Sequence, residues 1–266
     1  MQDLKITSIQ TDIIWENSQE NRSRYETEYL SKLTAGETDL ILFPELFTTG
    51  FTMKTIVYSE KMEGKTIKWM QHWAKKLNAQ IGGSIIIEEG NTYYNRFVIV
   101  SENGVEIYYD KNHLFRMGDE NKYFTKGKNR VIHTLKGWKL LLQVCYDLRF
   151  PVFSRNQTIN NHKEYDALIY VANWPEVRSE IWSTLLKARA IENQAYCIGV
   201  NRVGKDAHTM SHSGNSVSIS PWGKEKTLIP NQEQMFTHTL EKVILTEIYQ
   251  KFPAFLDADV FDLTDK

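Results

Sequence analysis

The sequence predicts an α/β fold in which two β-sheets face each other and helices cover their outer surfaces. Short runs rich in Ile, Val, Leu and Tyr alternate with segments of helical periodicity, which is typical of sheets with helices packed outside. Between residues 80 and 144 the strands follow one another with few helices, which indicates a second sheet facing the first. We therefore predict a four-layer αββα sandwich in preference to a plain doubly wound sheet.

Ten β-strands are predicted from short apolar runs that are enriched in β-branched and aromatic residues and bordered by turn-forming residues. The run that precedes Glu45 is apolar enough to be buried on both faces, as strands inside α/β sheets are. The predicted strands span residues 4–10, 39–44, 80–87, 94–100, 105–110, 131–135, 138–144, 165–171, 195–202 and 215–220.

Three helices are predicted from apolar residues that recur every three or four positions. The first, residues 18–34, begins at Ser18 and has Glu20 in its first turn. The second, residues 65–77, has an apolar face made of Ile67, Met70, Trp73, Ala74 and Leu77. The third, residues 177–194, has an apolar stripe made of Ile181, Leu185, Ala188 and Ile191, with Trp182 and Leu186 beside it.

Charge and composition exclude several classes of function. The 266 residues carry 32 basic and 33 acidic side chains, and a net charge of −1 predicts no binding of nucleic acid or anionic membranes. The apolar runs are far shorter than the roughly 20 residues of a membrane span, and the start of the chain lacks the pattern of a secretory signal. With no linker or repeat in the sequence, we predict a single domain, residues 1–266.

The two cysteines, Cys145 and Cys197, are far apart and neither lies in a CxxC pair. This arrangement predicts neither a disulfide framework nor a thiolate metal cage, and it favours a reducing compartment, by default the cytoplasm. No cluster of His, Cys or Asp at metal-ligand spacing is present, so we predict no metal.

Three chemically active side chains each follow a short apolar run. Glu45 follows the strand 39–44, Lys111 follows 105–110, and Cys145 follows 138–144. Ligands bind at the carboxyl ends of the strands in open α/β sheets, so we expect these three side chains to meet there. A carboxylate, an ammonium and a thiol are the groups needed for acyl transfer through a thioester.

Cys145 is the predicted nucleophile because its strand ends abruptly in a polar turn, which would expose the last side chain above the sheet. Backbone N–H groups after such a turn can stabilise an oxyanion. The alternative is that Cys145 is a small core residue, as most free cysteines are. Cys197 lies inside an apolar run with no polar turn after it, and we interpret it as core.

Each of the charged candidates also has a structural interpretation. Glu45 would act as a general base if desolvated, or it is a surface residue at the start of a loop. Lys111 would stabilise the thiolate and the oxyanion, although a lone lysine at a strand end is usually exposed. Glu120, in the polar loop after Lys111, either pairs with Lys111 and orients the substrate or is one solvated acid among several. The nearby His113 is interpreted as a structural hydrogen-bonding residue.

Three motifs in this order resemble the nitrilase superfamily of carbon–nitrogen hydrolases. They are Glu45 after Phe-Pro, Lys111 shortly before His-Leu-Phe, and the segment 145–151 (Cys-Tyr-Asp-Leu-Arg-Phe-Pro). The segment 172–175 (Ala-Asn-Trp-Pro) and the segment 188–194 agree with this superfamily, so that the resemblance covers essentially the whole chain. Through the segments 110–117 (Asp-Lys-Asn-His-Leu-Phe-Arg-Met) and 171–175 (Val-Ala-Asn-Trp-Pro), the sequence looks most like the omega-amidase branch of the superfamily.

The resemblance implies a four-layer αββα sandwich of the nitrilase type that forms a homodimer or a larger homo-oligomer and needs no cofactor. It implies that Cys145 attacks the amide carbonyl, that Glu45 is general base and then acid, and that Lys111 holds the oxyanion. Glu120 would support Lys111 and the substrate. The implied substrates are omega-amides of small α-keto acids, such as 2-oxoglutaramate and 2-oxosuccinamate, which are hydrolysed to the dicarboxylate and ammonia.

Four further residues are candidates for binding the substrate. Arg149 either clamps a substrate carboxylate or makes an internal ion pair near Cys145. Trp174 either forms a wall of the pocket or only packs in the core, and Asn173 offers an amide. Tyr146, next to the predicted nucleophile, is the fourth candidate.

Two alternative functions remain open on sequence alone. The same chemistry could act on an N-carbamoyl amine, an aliphatic amide or a nitrile, because specificity lies in loop residues such as 46–54, 115–127 and 174–179. The chain could also be a non-catalytic scaffold that retains the fold, although the intact set of Glu45, Lys111 and Cys145 argues against this.

Overall fold

The structure, a computed structural model, describes residues 2–263 and contains sixteen β-strands within that range. Their lengths run from two residues in short hairpins to ten in the longest strands. They are β1 Leu4–Gln10, β2 Leu40–Leu42, β3 Gln80–Glu89, β4 Thr92–Ser101, β5 Gly104–Asp110, β6 Ile132–Leu135, β7 Trp138–Val144, β8 Thr158–Ile159, β9 His162–Lys163, β10 Ala167–Ala172, β11 Tyr196–Asn201, β12 Val203–Lys205, β13 Ser211–Ser213, β14 Val217–Ile219, β15 Glu225–Thr227 and β16 Gln234–Leu240.

The described residues also form seven α-helices, joined in places by short 3₁₀ turns. The helices are α1 Ser18–Glu28, α2 Thr55–Tyr58, α3 Lys65–Leu77, α4 Glu120–Tyr123, α5 Pro151–Ser154, α6 Ser179–Asn193 and α7 Lys242–Lys251. The 3₁₀ turns are Leu30–Lys32, Arg116–Gly118, Cys145–Arg149, Glu176–Arg178 and Ala254–Asp257. No helix among residues 2–263 is both long and apolar enough to cross a membrane.

The two large sheets have six strands each and the same internal plan. The first has the order β16–β1–β2–β3–β4–β5 and the second has the order β15–β14–β11–β10–β7–β6. Three parallel strands form the centre of each sheet, namely β1, β2 and β3 in the first and β7, β10 and β11 in the second. Antiparallel strands extend both sheets outward. The carboxyl ends of the central strands therefore lie at one edge of each sheet.

The four layers follow from three cores of buried apolar residues. The core between the sheets is built from the inner faces of both, including Leu42 of β2 and Val144 of β7. A second core joins the outer face of the first sheet to α1 and α3. A third joins the outer face of the second sheet to α6. The predicted αββα sandwich is confirmed, since burial of both faces of each sheet leaves helix, sheet, sheet and helix in that order.

The prediction that the strands from 80 to 144 begin a second sheet is wrong in its boundary. Strands β3, β4 and β5 continue the first sheet, and the second sheet begins only at β6. Two-residue turns at 90–91 and 102–103 join β3, β4 and β5. Because such tight turns force consecutive strands to pair as antiparallel neighbours, these strands cannot leave the sheet that β3 has joined.

The helices are predicted with different success. Helix α3 has the predicted bounds, and its predicted face is buried. The first helix begins at Ser18 as predicted but ends at Glu28, six residues early, because Tyr29 leaves the helical dihedral angles. A 3₁₀ turn then places Leu30 in the core, and this burial outweighs the continuation of the helix.

The apolar stripe predicted for the third helix is wrong. Ile181 and Ile191 of α6 are 38% and 49% exposed, whereas Trp182, Leu186 and Ala190 are buried against the second sheet. The ring of Trp182 fills more of the gap to the sheet than an isoleucine would, and its four-residue spacing to Leu186 and Ala190 sets the buried side. The C-terminal strand β16 and the helix α7 were not predicted.

Close packing of α6 against the second sheet depends on Gly199 in β11. A Cβ atom at this position would lie 2.5 Å from Cδ1 of Leu186 and 2.7 Å from the ring of Trp182. We expect Gly199→Ala to lower the free energy of unfolding by about 1–3 kcal/mol, as overpacking of a core does. Urea unfolding followed by circular dichroism measures the change.

Leu186→Ala provides the matched control for this prediction, because it removes the nearer of the two side chains that the new methyl group meets. The double variant should lose less free energy of unfolding than the sum of the two single variants. Additive losses would show that the contact between Gly199 and Leu186 does not limit the approach of α6.

Candidate active site

The carboxyl ends of β2, β5 and β7 carry the three side chains that the sequence singles out. Glu45 lies just beyond β2, Lys111 directly follows β5, and Cys145 directly follows β7. Strand β5 runs in the same direction as β3, because both are antiparallel to β4. The topology therefore brings all three side chains to one edge of the facing sheets, which is where open α/β sheets bind ligands.

Lys111 lies between two carboxylates inside the protein. Its Nζ is 2.8 Å from Oε1 of Glu45 and 2.9 Å from the carboxylate of Glu120. All three side chains are at most 1% exposed. The interpretations of Glu45 and Lys111 as surface residues, and of Glu120 as a solvated acid, are therefore wrong.

Two asparagines hold the Glu45 carboxylate in place. Asn173 is predicted from the sequence only as a substrate-binding residue, and Asn95 is not predicted. Nδ2 of Asn95, in β4, donates to Oε1 of Glu45 at 2.8 Å and to Oε1 of Glu120 at 3.1 Å. The backbone N–H of Asn173 donates to Oε2 of Glu45 at 2.9 Å, and its Nδ2 donates to the backbone carbonyl of Glu45. Asn95 is an amide inside an apolar strand, and that burial of a polar residue is the signal that could have identified it.

The carboxylates decide the protonation of Lys111. Burial alone would lower the pKa of Lys111, but the negative charges of Glu120 and Glu45 outweigh it and raise that pKa above its ordinary value. Burial raises the pKa of Glu120, the Lys111 ammonium opposes this, and the charge of Glu45 adds to it. Lys111 is consequently a permanent cation in this site at neutral pH.

Cys145 adopts a backbone conformation that is rare for a residue with a side chain. Its φ angle is +44°, and the chain passes there from β7 directly into the 3₁₀ turn Cys145–Arg149. Non-glycine residues in the left-handed region are strained, and such strain concentrates where a side chain must be presented at a particular point. This geometry is that of a sharp turn that lifts a nucleophile out of a sheet.

Asp147 fixes the turn that carries Cys145. Its carboxylate accepts hydrogen bonds from the backbone N–H of Val144 at 2.9 Å and from the Tyr109 hydroxyl at 2.8 Å. The backbone N–H of His113 donates to the same carboxylate at 3.0 Å, and its ring nitrogen lies 2.7 Å away. His113 is therefore a structural hydrogen-bonding residue, and Asp147 ties the Cys145 turn to the loop that follows Lys111.

The thiol of Cys145 is protonated in the resting protein. Burial raises the pKa of Cys145 well above its ordinary value, the charge of Glu45 raises it further, and the Lys111 ammonium opposes both. A thiol in this state needs a base to become a nucleophile, and the Glu45 carboxylate is near enough to act on it. Cys197, by contrast, is fully buried inside β11, as predicted.

The residues predicted to bind substrate lie around Cys145 in different roles. Trp174 is buried, and its indole N–H donates to the carbonyl of Arg178 at 2.8 Å. The guanidinium carbon of Arg149 lies 5.3 Å from the Trp174 ring. The ring of Tyr146 packs edge-on against Phe115 at 5.1 Å. The side-chain oxygen of Asn173 is buried and has no hydrogen-bond partner within residues 2–263.

The internal ion pair considered for Arg149 is not formed. No acidic side chain within the described range lies within 4.0 Å of its guanidinium, because Asp147, the nearest acid in sequence, is occupied by Tyr109 and His113. Arg149 instead lies half-buried on the face of an aromatic ring. Its charge is thus available to a ligand.

Comparison with known proteins agrees with this geometry. The model of the carbon–nitrogen hydrolase family matches residues 5–244. The chain is 41% identical over 262 residues to the omega-amidase YafV of Yersinia enterocolitica, covering 98% of this chain and 99% of that protein. It is 30% identical over 255 residues to the 2-oxoglutaramate amidase of Bacillus subtilis, covering 95% and 96%.

A solved structure is similar over the whole fold. It is a carbon–nitrogen hydrolase superfamily protein from Xanthomonas campestris whose crystal structure has an arsenic adduct in the active site. The TM-score is 0.96 at 40% sequence identity, and the match covers 99% of this chain and 100% of that chain. The similarity therefore extends over essentially the whole of both chains.

The charges around the thiol predict opposite shifts for two variants. Lys111→Met removes the cation that lowers the pKa of Cys145, so we expect that pKa to rise further. Glu45→Gln removes the anion that raises it, so we expect that pKa to fall. The rate of alkylation of Cys145 by iodoacetamide, measured against pH in each folded variant, gives both shifts.

Both substitutions are made in the Cys197→Ala variant, since this leaves Cys145 as the one thiol of the sequence. If the Lys111→Met titration coincides with that of the parent, Lys111 does not act on the thiol, and the arrangement of the site is wrong.

Proposed function

This chain belongs to the carbon–nitrogen hydrolase family, and from that premise we propose that it is an omega-amidase. The reaction is the hydrolysis of the omega-amide of a small α-keto acid, such as 2-oxoglutaramate or 2-oxosuccinamate, to the dicarboxylate and ammonia. The observation that carries the proposal is the buried contact of Lys111 with Glu45 and Glu120 beside the strained turn of Cys145. A scaffold would have no need of it, because a buried charge cluster rarely adds stability.

Acylation begins with the transfer of the thiol proton from Cys145 to the Glu45 carboxylate. The Sγ atom then bonds to the amide carbon, and the carbonyl oxygen takes up the negative charge. Lys111, a permanent cation, stabilises that oxyanion. The C–N bond breaks as Glu45 returns its proton to the leaving nitrogen, so that ammonia departs and a thioester remains.

Deacylation uses the same groups in reverse order. Glu45 takes a proton from a water molecule, and the oxygen of that water attacks the thioester carbonyl. The second oxyanion again lies against Lys111, and it collapses with cleavage of the C–S bond. Glu45 gives the proton back to the sulfur, which restores the thiol and releases the carboxylic acid.

Glu120 and Asn95 hold Glu45 and Lys111 in their catalytic positions. Glu120 accepts a hydrogen bond from Lys111, as Glu45 does, and Asn95 donates to both carboxylates through one amide nitrogen. Arg149, with no acidic partner in the described range, is proposed to bind the substrate carboxylate, with Trp174 as a wall of the pocket. Tyr146 and Asn173 are proposed to line it beside the nucleophile.

We also propose that the chain forms a homodimer or a larger homo-oligomer in the cytoplasm. Val177, Ile181 and Ile191 lie on one side of α6 and its preceding turn, and they are 75%, 38% and 49% exposed. An apolar side of this kind marks an association surface. Ile181→Glu should shift the sedimentation equilibrium toward monomers, and Ser183→Glu, at an exposed polar position of the same helix outside this apolar side, is the control.

The function is tested by the release of ammonia from a substrate panel. We expect the highest kcat/KM with 2-oxoglutaramate or 2-oxosuccinamate, and far lower values with N-carbamoyl amino acids, aliphatic amides and nitriles. Cys145→Ala should lower kcat by many orders of magnitude, because the nucleophile is lost. Cys197→Ala should keep most of the activity, since it removes only a buried thiol.

Two outcomes would contradict the proposal. A preference for nitriles or N-carbamoyl amines would keep the chemistry and change the substrate. Equal losses in the two cysteine variants would show that Cys145 is not the nucleophile.

A further inference from the structure

We propose that Arg178 is a substrate-binding residue that holds the carboxylate at the end of the substrate remote from the amide. It would thereby make the enzyme selective for omega-amides of carboxylic acids over uncharged amides. The inference rests on the proposed amidase function. It names the residue that would recognise the negative charge of the substrate. Arg178 lies in the loop 174–179, one of the segments expected from the sequence to set specificity, but it is not among the individual residues predicted to bind substrate.

The backbone of Arg178 is tied to the active site through Trp174. The indole N–H of Trp174 donates to the carbonyl of Arg178 at 2.8 Å, which closes the 3₁₀ turn before α6 against that ring. The backbone N–H of Trp174 is itself held by Asn201 at 2.8 Å, at the carboxyl end of β11. The position of Arg178 is therefore fixed by groups at the catalytic edge of the second sheet.

The side chain of Arg178 extends toward the loop that carries Lys111 and Glu120. Its guanidinium carbon lies 5.7 Å from the ring of Phe115, whose backbone N–H donates to Glu120 at 2.6 Å. The same ring packs against Tyr146, which follows Cys145. The guanidinium of Arg178, the ring of Phe115 and the ring of Tyr146 thus form a series of contacts that ends at the residue next to the nucleophile.

The guanidinium of Arg178 is half-buried and has no acidic partner within residues 2–263. Six of the other nine arginines pair with a carboxylate within 4.0 Å, and a seventh, Arg155, donates to a backbone carbonyl. Among the described residues, the arginines without such partners are Arg116, Arg149 and Arg178. Arg116 is exposed to solvent, so Arg149 and Arg178 are the two sheltered guanidinium groups that remain for a ligand.

The charge balance of the site favours a cation that faces the substrate carboxylate. Glu45 and Glu120 are two carboxylates and Lys111 is one ammonium, which leaves one net negative charge when all are ionised. A substrate that carries a carboxylate would be repelled from this buried set unless a cation faced it. Arg149, on the turn of Cys145, lies over the Trp174 ring, and the carbonyl of Arg178 accepts a hydrogen bond from the indole of the same tryptophan, so Trp174 contacts both arginines. Bidentate binding by arginine is well suited to holding a carboxylate.

The experiment compares two amides that differ in one charge. Glutaramate carries a carboxylate at the end of the chain, and pentanamide has a methyl group in its place. For Arg178→Gln we expect kcat/KM with glutaramate to fall by about 10- to 100-fold more than with pentanamide, since a hydrogen bond to a charged group is lost. The loss should lie mainly in KM, because binding of the carboxylate is the same in the ground state and the transition state.

Arg116→Gln is the matched control, because it removes the same charge one position from Phe115 at an exposed site. It should leave the ratio of the two kcat/KM values within about twofold of the parent, as expected for an exposed charge. Arg178→Lys should retain part of the preference for glutaramate over pentanamide, since lysine keeps the positive charge but cannot bind a carboxylate through two parallel hydrogen bonds.

A second readout does not depend on turnover. Glutarate should protect Cys145 from alkylation by iodoacetamide in the parent and in Arg116→Gln, and it should protect much less in Arg178→Gln. If Arg178→Gln lowers kcat/KM equally for both amides, or if glutarate protects it as it protects the parent, the inference is wrong while the amidase function stands. If neither amide nor any α-keto acid amide is hydrolysed by the parent, the proposed function fails first.

Discussion

The contact on which the catalytic edge depends is the ion cluster of Lys111 with Glu45 and Glu120. Taking three charges out of water is unfavourable by several kcal/mol for each ion, and replacement of such clusters by apolar residues is often stabilising. The cluster persists here because each carboxylate is hydrogen-bonded as well as paired, through Asn95 and the backbone of Asn173 and Phe115. Loss of one partner would leave an uncompensated buried charge, which usually lowers stability by about 3–5 kcal/mol. Chemistry, and not stability, therefore explains the cluster.

The facing sheets explain how this cluster meets a thiol from the other half of the molecule. Glu45 and Lys111 come from the first sheet, and Cys145 comes from the second. The apolar core between the sheets sets their separation, and Asp147 fixes the remaining freedom by binding Tyr109 of the first sheet and Val144 of the second. The strained φ of Cys145 is held by these contacts, which is how a fold can maintain a conformation that an isolated turn would avoid.

The layers and the strand ends that carry Glu45, Lys111 and Cys145 are predicted from the sequence, because both are indicated by local patterns. Apolar runs that end in Glu45, Lys111 and Cys145 indicate strand ends, and α3 has an apolar face of regular spacing. The errors lie where tertiary packing decides. The buried side of α6 is set by Trp182 against Gly199, and the membership of β3–β5 is set by two short turns. The local pattern around Asn95 shows only a polar residue inside an apolar strand, and it is the folded sheet that brings its amide to Glu45.

The number of acceptor sites on the two carboxylates distinguishes the base from its neighbour. An ionised carboxylate offers about four lone-pair sites. Those of Glu120 are filled by Asn95, by the N–H of Phe115 and by the Lys111 ammonium, which is 2.9 Å from both oxygens. Glu45 accepts three such bonds, from Asn95, Lys111 and the N–H of Asn173, and one site on Oε2 is left for the thiol proton. The pKa of Cys145, which Glu45 raises more strongly than Glu120 does, is consistent with that proximity. Glu45 is therefore suited to move protons, whereas Glu120 is suited to hold Lys111 still while it does so.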